Sequence, residues 1–472
     1  MKKFLLSASC LLMAASSFAA VQTDGQTYAT VDGMTCENIW VLDRIHGGFE
    51  ASTLADKSAR TATTDGKTIY VGKSVDGTIQ KFDVKTGEYL GQIQVKKGGE
   101  AYVTTLGVNQ VGFDEYGHFY VATFSANSAG TANYEVFLCN LETGELTSVG
   151  ELGFLGGVGR VDYCDVTGDL TGEKAGCTVA AACSANINIF NWHRAQGSET
   201  WEGGWNGLPY QEAVGTFPKD QTNFSYGSVL KLVRDGSASG DLGLFYVDGF
   251  TTFPALYGSD GALMDSFENV DYTTKDKEGN VTHEGLTVCP AAGTNGIAEA
   301  NIGANLIVYS EGQYDAPHKC QAIVTSVDES LAFSSMKALW TIPADGMGNT
   351  SDSGTRVHCL DRVMLPDDAS GKKAMLLVSF KCFNGLSVYI IAQEGYNAEG
   401  GVAENVVAAA TINVNGDVIA VSEVAESIEI FNIAGQKVAA VENAAEIAAP
   451  ANGAFIVKAV VNGNVVVKKV IL

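Results

Sequence analysis

A polar, glycine-containing turn followed by a short apolar strand recurs six times along the 472-residue chain, and this repeat constrains the fold more than any other feature. The copies are Asp65 to Lys67 before Thr68 to Val71, Asp114 to Gly117 before Phe119 to Thr123, and Gly168 to Gly176 before Thr178 to Ala182. They continue with Asp235 to Gly243 before Leu244 to Val247, Ile302 to Ala304 before Leu306 to Tyr309, and Asp367 to Gly371 before Met375 to Ser379. The spacing, about 50 to 70 residues, exceeds the roughly 40 to 50 of compact propeller repeats, which places the surplus in loops. No helical periodicity persists beyond a few turns, so the chain reads as all-β. Its 54 glycines against 8 prolines supply the turn positions such a repeat needs.

Within a unit, further strands are legible. Thr78 to Val84 leads through Thr86-Gly87 into Glu88 to Val95, and Glu135 to Leu141 leads through Thr143-Gly144 into Glu145 to Leu152. Asp83, Thr86 and Gly87 therefore match Asn140, Thr143 and Gly144, an internal repeat of one hairpin. Four strands per unit predict the blades of a β-propeller, a ring that leaves no free sheet edge. The last unit, Arg356 to Ala392, shows three strands, so Asn38 to Ile45 is expected to return as the fourth and close six blades. Leu42 to Ile45 also echoes Leu360 to Val363, which leaves a seventh blade open.

Phe113 to Ala122 and Asp65 to Gly72 resemble the strand-turn-strand segments of six-bladed propellers of the NHL and gluconolactonase-like kind. That resemblance allows a metal-dependent hydrolase, lactonase or lyase at the propeller mouth, where such enzymes hold a divalent ion with converging acidic and amide side chains. The candidate inner strands carry Arg and only sparse Glu, so the leading reading is a non-enzymatic binding module and the enzyme is the alternative.

The ends of the chain differ from the repeat. Lys2 and Lys3 precede an apolar run from Phe4 to Ala15, too short to span a bilayer, and Ser17 and Ala19 fit a cleavage site. Residues 1–19 are thus expected to be a signal peptide, 20–393 the propeller, 394–402 a linker and 403–472 a small immunoglobulin-like β-sandwich. Ser427 to Val438, Ala451 to Val460 and Lys468 to Leu472 resemble the type A C-terminal sorting domain of type IX secretion. The resemblance implies contact with that secretion machinery and placement outside the cell or on the outer surface of a Gram-negative bacterium. Nine cysteines lie beyond the signal, none in a C-x-x-C pair, and most are expected as buried thiols.

Thirty basic against 54 acidic residues give a formal charge of −24, which argues against nucleic acid or an anionic membrane surface as partner, and no run marks an integral membrane protein. H-E-x-x-H, G-x-S-x-G and phosphate-loop patterns are absent. No cofactor is expected. Calcium is the one ion left open, although Asp235 to Asp241 and Asp165 to Asp169 both lack the Glu an EF-hand needs at its twelfth position.

The candidate ligand-binding residues are Arg60, Arg160, Asp162, Arg356 and His358. The segments Arg160 to Asp165 and Arg356 to Asp361 match as inner strands, and Arg60 enters the first unit at a similar point. Three arginines at the channel entrance would bind a carboxylate, sulfate or phosphate bidentately; alternatively they neutralise Asp165, Asp361 or Asp43 between blades. Trp192, Trp201, Trp205 and Tyr210 read as a loop cluster offering a sugar platform or a loop anchor. The sequence therefore predicts a secreted or cell-surface binding propeller for an anionic glycan, a peptide or another surface protein.

Overall fold

The computed structural model describes residues 21–56, 58–104, 107–127, 134–150, 159–183, 188–204, 229–234, 240–249, 252–267, 270, 274–275, 280–283, 296–311, 319–348, 358–397, 412–415, 418–432, 437–449, 454–461 and 464–471. The chain divides into two units, Met1–Asp367 with Lys372–Tyr396, and Asp368–Gly371 with Asn397–Leu472. Among the described residues no helix is long and apolar enough to cross a membrane.

The first unit is a β-propeller. Blades one and two are Ala59–Thr64, Thr68–Lys73, Thr78–Asp83, Tyr89–Gln94 and Gln110–Phe113, Phe119–Ala122, Val136–Cys139, Leu146–Ser148. Blade three runs Gly159–Gly168, Cys177–Cys183, Asn188–Arg194, Glu202–Gly204, with Ser125–Asn127 added beside its inner strand. Blades four and five are Val229–Leu232, Phe245–Gly249, Thr252–Tyr257, Leu263–Ser266 and Ile297–Asn301, Asn305–Ser310, Ala322–Val327, Lys337–Ile342. Blade six takes His358–Met364, Ala374–Lys381 and Gly385–Gln393 from the end of the repeat and Met34–Asp43 from its start.

That last strand pairs antiparallel with Gly385–Gln393, from Met34 opposite Gln393 to Leu42 opposite Leu386. The expected closure is therefore present. Leu42 and Asp43 end the outer strand of blade six, so among the described residues there is no seventh blade.

Each blade buries both faces, and period-2 alternation assigns each face to a neighbour. In Ala374–Lys381 all eight residues are buried. Met375 and Leu377 pack with Leu306, Val308 and Val324 of blade five, whereas Leu376, Val378 and Phe380 pack with Ala62, Ile69 and Val71 of blade one. Separate cores fill the junctions between blades one and two, two and three, three and four, and four and five. Trp40 of the closing strand donates from Nε1 to Val84 O at 2.7 Å, tying blade six to blade one.

The repeated hairpin has one mechanism in both copies. Asp83 Oδ1 accepts the backbone N–H groups of Lys85 and Thr86, Asn140 Oδ1 accepts those of Glu142 and Thr143, and Gly87 and Gly144 take φ of 67° and 77°. The cysteines whose side chains are described carry free thiols, all but Cys359 fully buried.

The second unit joins Ile412–Asn415, Val418–Asn432, Lys437–Ala448, Ala454–Val461 and Asn464–Ile471 by antiparallel pairing. A register shift between Ala420 and Ala425 divides the long strand, and Ile419 and Val421 of one arm share a core with Ile428 and Ile430 of the other.

Candidate functional site

Around the axis of the propeller, polar side chains reach from one blade to the backbone of the next. Thr61 Oγ1 accepts the N–H of Val111 at 2.9 Å, from blade one to blade two. Gln110 clamps Cys164 by accepting its N–H at 2.8 Å and donating to its carbonyl at 2.6 Å. Asp165 accepts the N–H of Leu232 at 2.8 Å, and Asp248 that of Gly296 at 3.0 Å. Arg362 donates to the Glu299 carbonyl at 2.6 Å, and Asp361 accepts from Thr63 Oγ1 at 2.7 Å and Thr64 N at 3.1 Å. Inner strands cannot hydrogen-bond to one another as a sheet does, so these side chains satisfy the backbone groups the geometry leaves over.

The axis holds a cavity of about 70 Å³ lined by Thr61, Gln110, Tyr120, Tyr163, Asp165, Lys231, His358 and Asp361, among others. A water needs roughly 10 to 15 Å³ of such space. The cavity therefore holds about five to seven waters, fewer than the non-hydrogen atoms of a hexose. Where the inner strands finish, it meets a wider mouth of about 480 Å³, within the usual range of ligand pockets. Thr63, Thr64, Phe113, Asp114, Glu115, Arg234, Asp361, Arg362, Val363 and Met364 line this mouth.

Arg234 lines both spaces. Its Nη2 lies 3.2 Å from Asp165 Oδ1, which Lys231 Nζ approaches at 3.5 Å. Burial pushes Asp165 up, but the two cations and the N–H groups of Leu232 and Val166 prevail and hold it below the usual carboxylate range. Burial lowers Arg234 in turn, and Asp165 with Asp361 outweighs it, so the guanidinium stays charged. Its Nε is buried without a hydrogen-bond partner. Burial drives the Cys164 and Cys359 thiols up to about 12, so neither is a ready nucleophile.

Of the predicted residues, Arg60, Arg160, Asp162 and His358 belong to the opposite end, where the inner strands begin. Arg60 is half-buried, with Nε 3.4 Å from Ser74 Oγ. Arg160 lies on the inner strand of blade three opposite Ala126, and its side chain is outside the described set. Arg356 lies outside the described residues altogether. Asp162 is buried, and its carbonyl accepts from Asn109 Nδ2 at 2.7 Å. His358 is fully buried with Nε2 2.7 Å from Ser379 Oγ, and burial together with Lys381 holds it well below its ordinary value. Asp162 raises and Arg60 lowers the Tyr163 phenol electrostatically, with burial the larger effect.

Among the described residues, the partners that Asp165, Asp361 and Asp43 receive between or beside blades are others. Lys231 and Arg234 serve Asp165, Thr63 and Thr64 serve Asp361, and His46 serves Asp43 at 2.8 Å. Lys231 and Arg234 carry no motif that marks them in the sequence. Both stand just before or after the end of the short inner strand of blade four, whose Val-Leu-Lys-Leu pattern was the only available signal.

Trp192 is not a loop residue as expected: it is on Asn188–Arg194, buried and stacked on Phe190 at 5.5 Å, because residues two apart share a strand face. Trp201 is covered by Arg194 at 4.7 Å, and Trp205 and Tyr210 lie outside the described residues.

One group with ion-binding residue types also escaped the sequence. Ligand atoms of Asp114, His118 and Asp169 lie within 4.8 Å of one another. Asp114 already accepts the N–H groups of Tyr116, His118 and Leu170, and Asp169 those of Thr171 and Lys174. His118 Nδ1 sits between the two carboxylates at 2.9 and 3.2 Å. This is a hydrogen-bonded clamp between the turns of blades two and three. The segment Asp165 to Asp169 is strand and turn, and Asp235 lies outside the described residues.

No known protein family's sequence pattern matches the chain, and no curated protein does. Among solved structures, a DUF4623 family protein from Bacteroides eggerthii matches with a TM-score of 0.52 at 11% identity, over 79% of this chain and 78% of that one. Regucalcin, a calcium-binding protein from Agrobacterium tumefaciens, matches at 0.35 with 11% identity over 73% and 95%, and a PQQ-bound aldose sugar dehydrogenase from Streptomyces coelicolor at 0.36 with 12% identity over 77% and 100%. The first likeness is one of fold; the other two are too distant to bear on this chain.

Proposed function

We propose that this propeller is a binding module that takes an extracellular ligand, a glycan or a protein, at the mouth where its inner strands finish. The observation that carries the reading is Arg234. It is a charged guanidinium with an unbonded Nε, standing between a cavity too small for a sugar and a mouth large enough for one. The signal-like residues 1–19 and the tail at 403–472 belong to the same proposal: export, then delivery to the cell surface by the type IX route.

A glycan array probed with the mature protein and with Arg234→Met tests the binding reading. Methionine keeps the apolar stem and removes the fork. Binding by the wild type, lost in a variant of unchanged circular dichroism, is expected; equal binding by both refutes it. For the address, truncation before Ala403 is expected to abolish surface labelling, and unchanged labelling contradicts it.

A metal-dependent hydrolase or lyase is the second reading, favoured by the Asp114, His118 and Asp169 group. The backbone bonds already made to both carboxylates weigh against it. Stoichiometric calcium or zinc in the purified protein would reverse that balance.

A further inference from the structure

The mouth carries both signs of charge, and how each charge is matched separates ligand classes. Arg362 is spent on Glu299, with Nη2 to Oε1 at 2.6 Å. Arg234 is paired with Asp165 and is also drawn by Asp361 and Glu115. Asp361 accepts only from Thr63 and Thr64, both through Oδ2. Glu115 accepts only from Thr167 Oγ1 at 2.7 Å and Gly168 N at 2.6 Å, both through Oε2. Among the described residues Asp361 Oδ1 and Glu115 Oε1 therefore accept no hydrogen bond, and no ammonium or guanidinium forms an ion pair with either carboxylate. Their balance against Arg234 is negative.

Resting on the binding reading above, we infer that the mouth recognises the uncharged end of a saccharide and discriminates against acidic sugars. Sugar hydroxyls donate to Asp361 Oδ1 and Glu115 Oε1, and a ring or hydroxyl oxygen accepts from Arg234. Among the described residues, a carboxylate or sulfate would meet these two carboxylates against the single net positive charge that Arg234 and Lys231 keep once Asp165 is counted, a like-charge juxtaposition that interfaces use to reject wrong partners. A hydroxyl satisfies both signs without desolvating a charge of its own. Phe113, Val363 and Met364 supply apolar surface for the C–H face of a sugar ring.

Calorimetric titration of the mature protein with neutral gluco- and manno-oligosaccharides, against oligogalacturonides of equal length, tests the inference. The occlusion variant is Met364→Trp. Met364 is 40% exposed at the mouth and holds none of the blade-to-blade hydrogen bonds described above, so the fold survives the change. The expected result is a neutral member that binds at least tenfold more tightly than its acidic counterpart, with binding lost in Met364→Trp at an unchanged melting temperature. Tighter, Met364-dependent binding of the oligogalacturonides overturns the neutral-sugar inference and leaves the mouth as the binding site. Binding that neither Met364→Trp nor Arg234→Met alters removes the mouth from the account. A panel in which nothing binds also overturns the inference.

Discussion

Replacing Asp165 by Asn removes one charge from the axis without changing the shape of the side chain. The amide oxygen still accepts the N–H of Leu232, but Arg234 and Lys231 lose the carboxylate that lies 3.2 and 3.5 Å from them. Breaking a buried pair from one side costs about 3 to 5 kcal/mol. Arg234 and Lys231 keep some 15% of their side-chain surface open to the channel, so the low end of that range, about 3 kcal/mol, is expected here. Against a total stability of roughly 5 to 15 kcal/mol this is a large fraction. Urea unfolding followed by tryptophan fluorescence isolates the propeller, because all five tryptophans precede residue 393.

The pH dependence has a fixed sign. Asp165 is held below its unfolded value, so its contribution is present above that value, about 3.9, and is lost as pH falls through the folded one. The gap between wild type and Asp165→Asn should be full near neutrality and shrink in acid. A gap no larger than that of Glu173→Gln on an exposed turn, or one that does not change with pH, refutes the idea that Asp165 anchors blade three to blade four.

Three further outcomes follow from the closure of the ring. His46 is pulled down by burial but raised overall by Asp43, Asp345 and Asp24, so its contribution is complete below the unfolded value of about 6.5 and lost as pH rises through the folded one. His46→Gln should therefore cost more stability near pH 6 than near pH 9, as read by urea midpoints. A Cβ at Gly385 would overlap Asp43 and approach Leu42 O to 3.1 Å; Gly385→Ala should cost about 1 to 3 kcal/mol and speed hydrogen exchange in Met34–Asp43. Trp40→Phe leaves the Val84 carbonyl without its 2.7 Å donor, and a loss of about 1 to 2 kcal/mol is expected in the same urea assay.

The repeat was legible because its signals are local. Asp83 and Asn140 cap their own turns, and Gly87 and Gly144 occupy the left-handed position that a side chain would strain. Closure, expected from Asn38 to Ile45 and found over Met34–Asp43, was legible from a deficit, a last unit one strand short. The mouth was not legible, since Arg234 and Asp165 are 69 residues apart and meet only through the blade geometry. The likeness of Arg160 to Asp165 and Arg356 to Asp361 has a local cause, since Gly159–Gly168 and His358–Met364 are equivalent inner strands. That Asp165 and Asp361 at their far ends take partners from blades four and one depends on the ring and has no local signal. His358 shows the same limit: a polar residue on a strand pattern gives no sign of whether it faces the channel freely or is enclosed against Ser379.

Hydrogen–deuterium exchange of the mature protein, with and without the tightest-binding neutral oligosaccharide of the panel, addresses the binding site most directly. Ligand should slow exchange at the ends of the inner strands that border the mouth, around Thr63–Thr64, Phe113–Glu115 and Val363–Met364, and leave the outer strands unchanged. Protection confined to the opposite end of the channel, around Arg60, Asp162 and His358, would contradict the account and return the site to the end at which the inner strands begin.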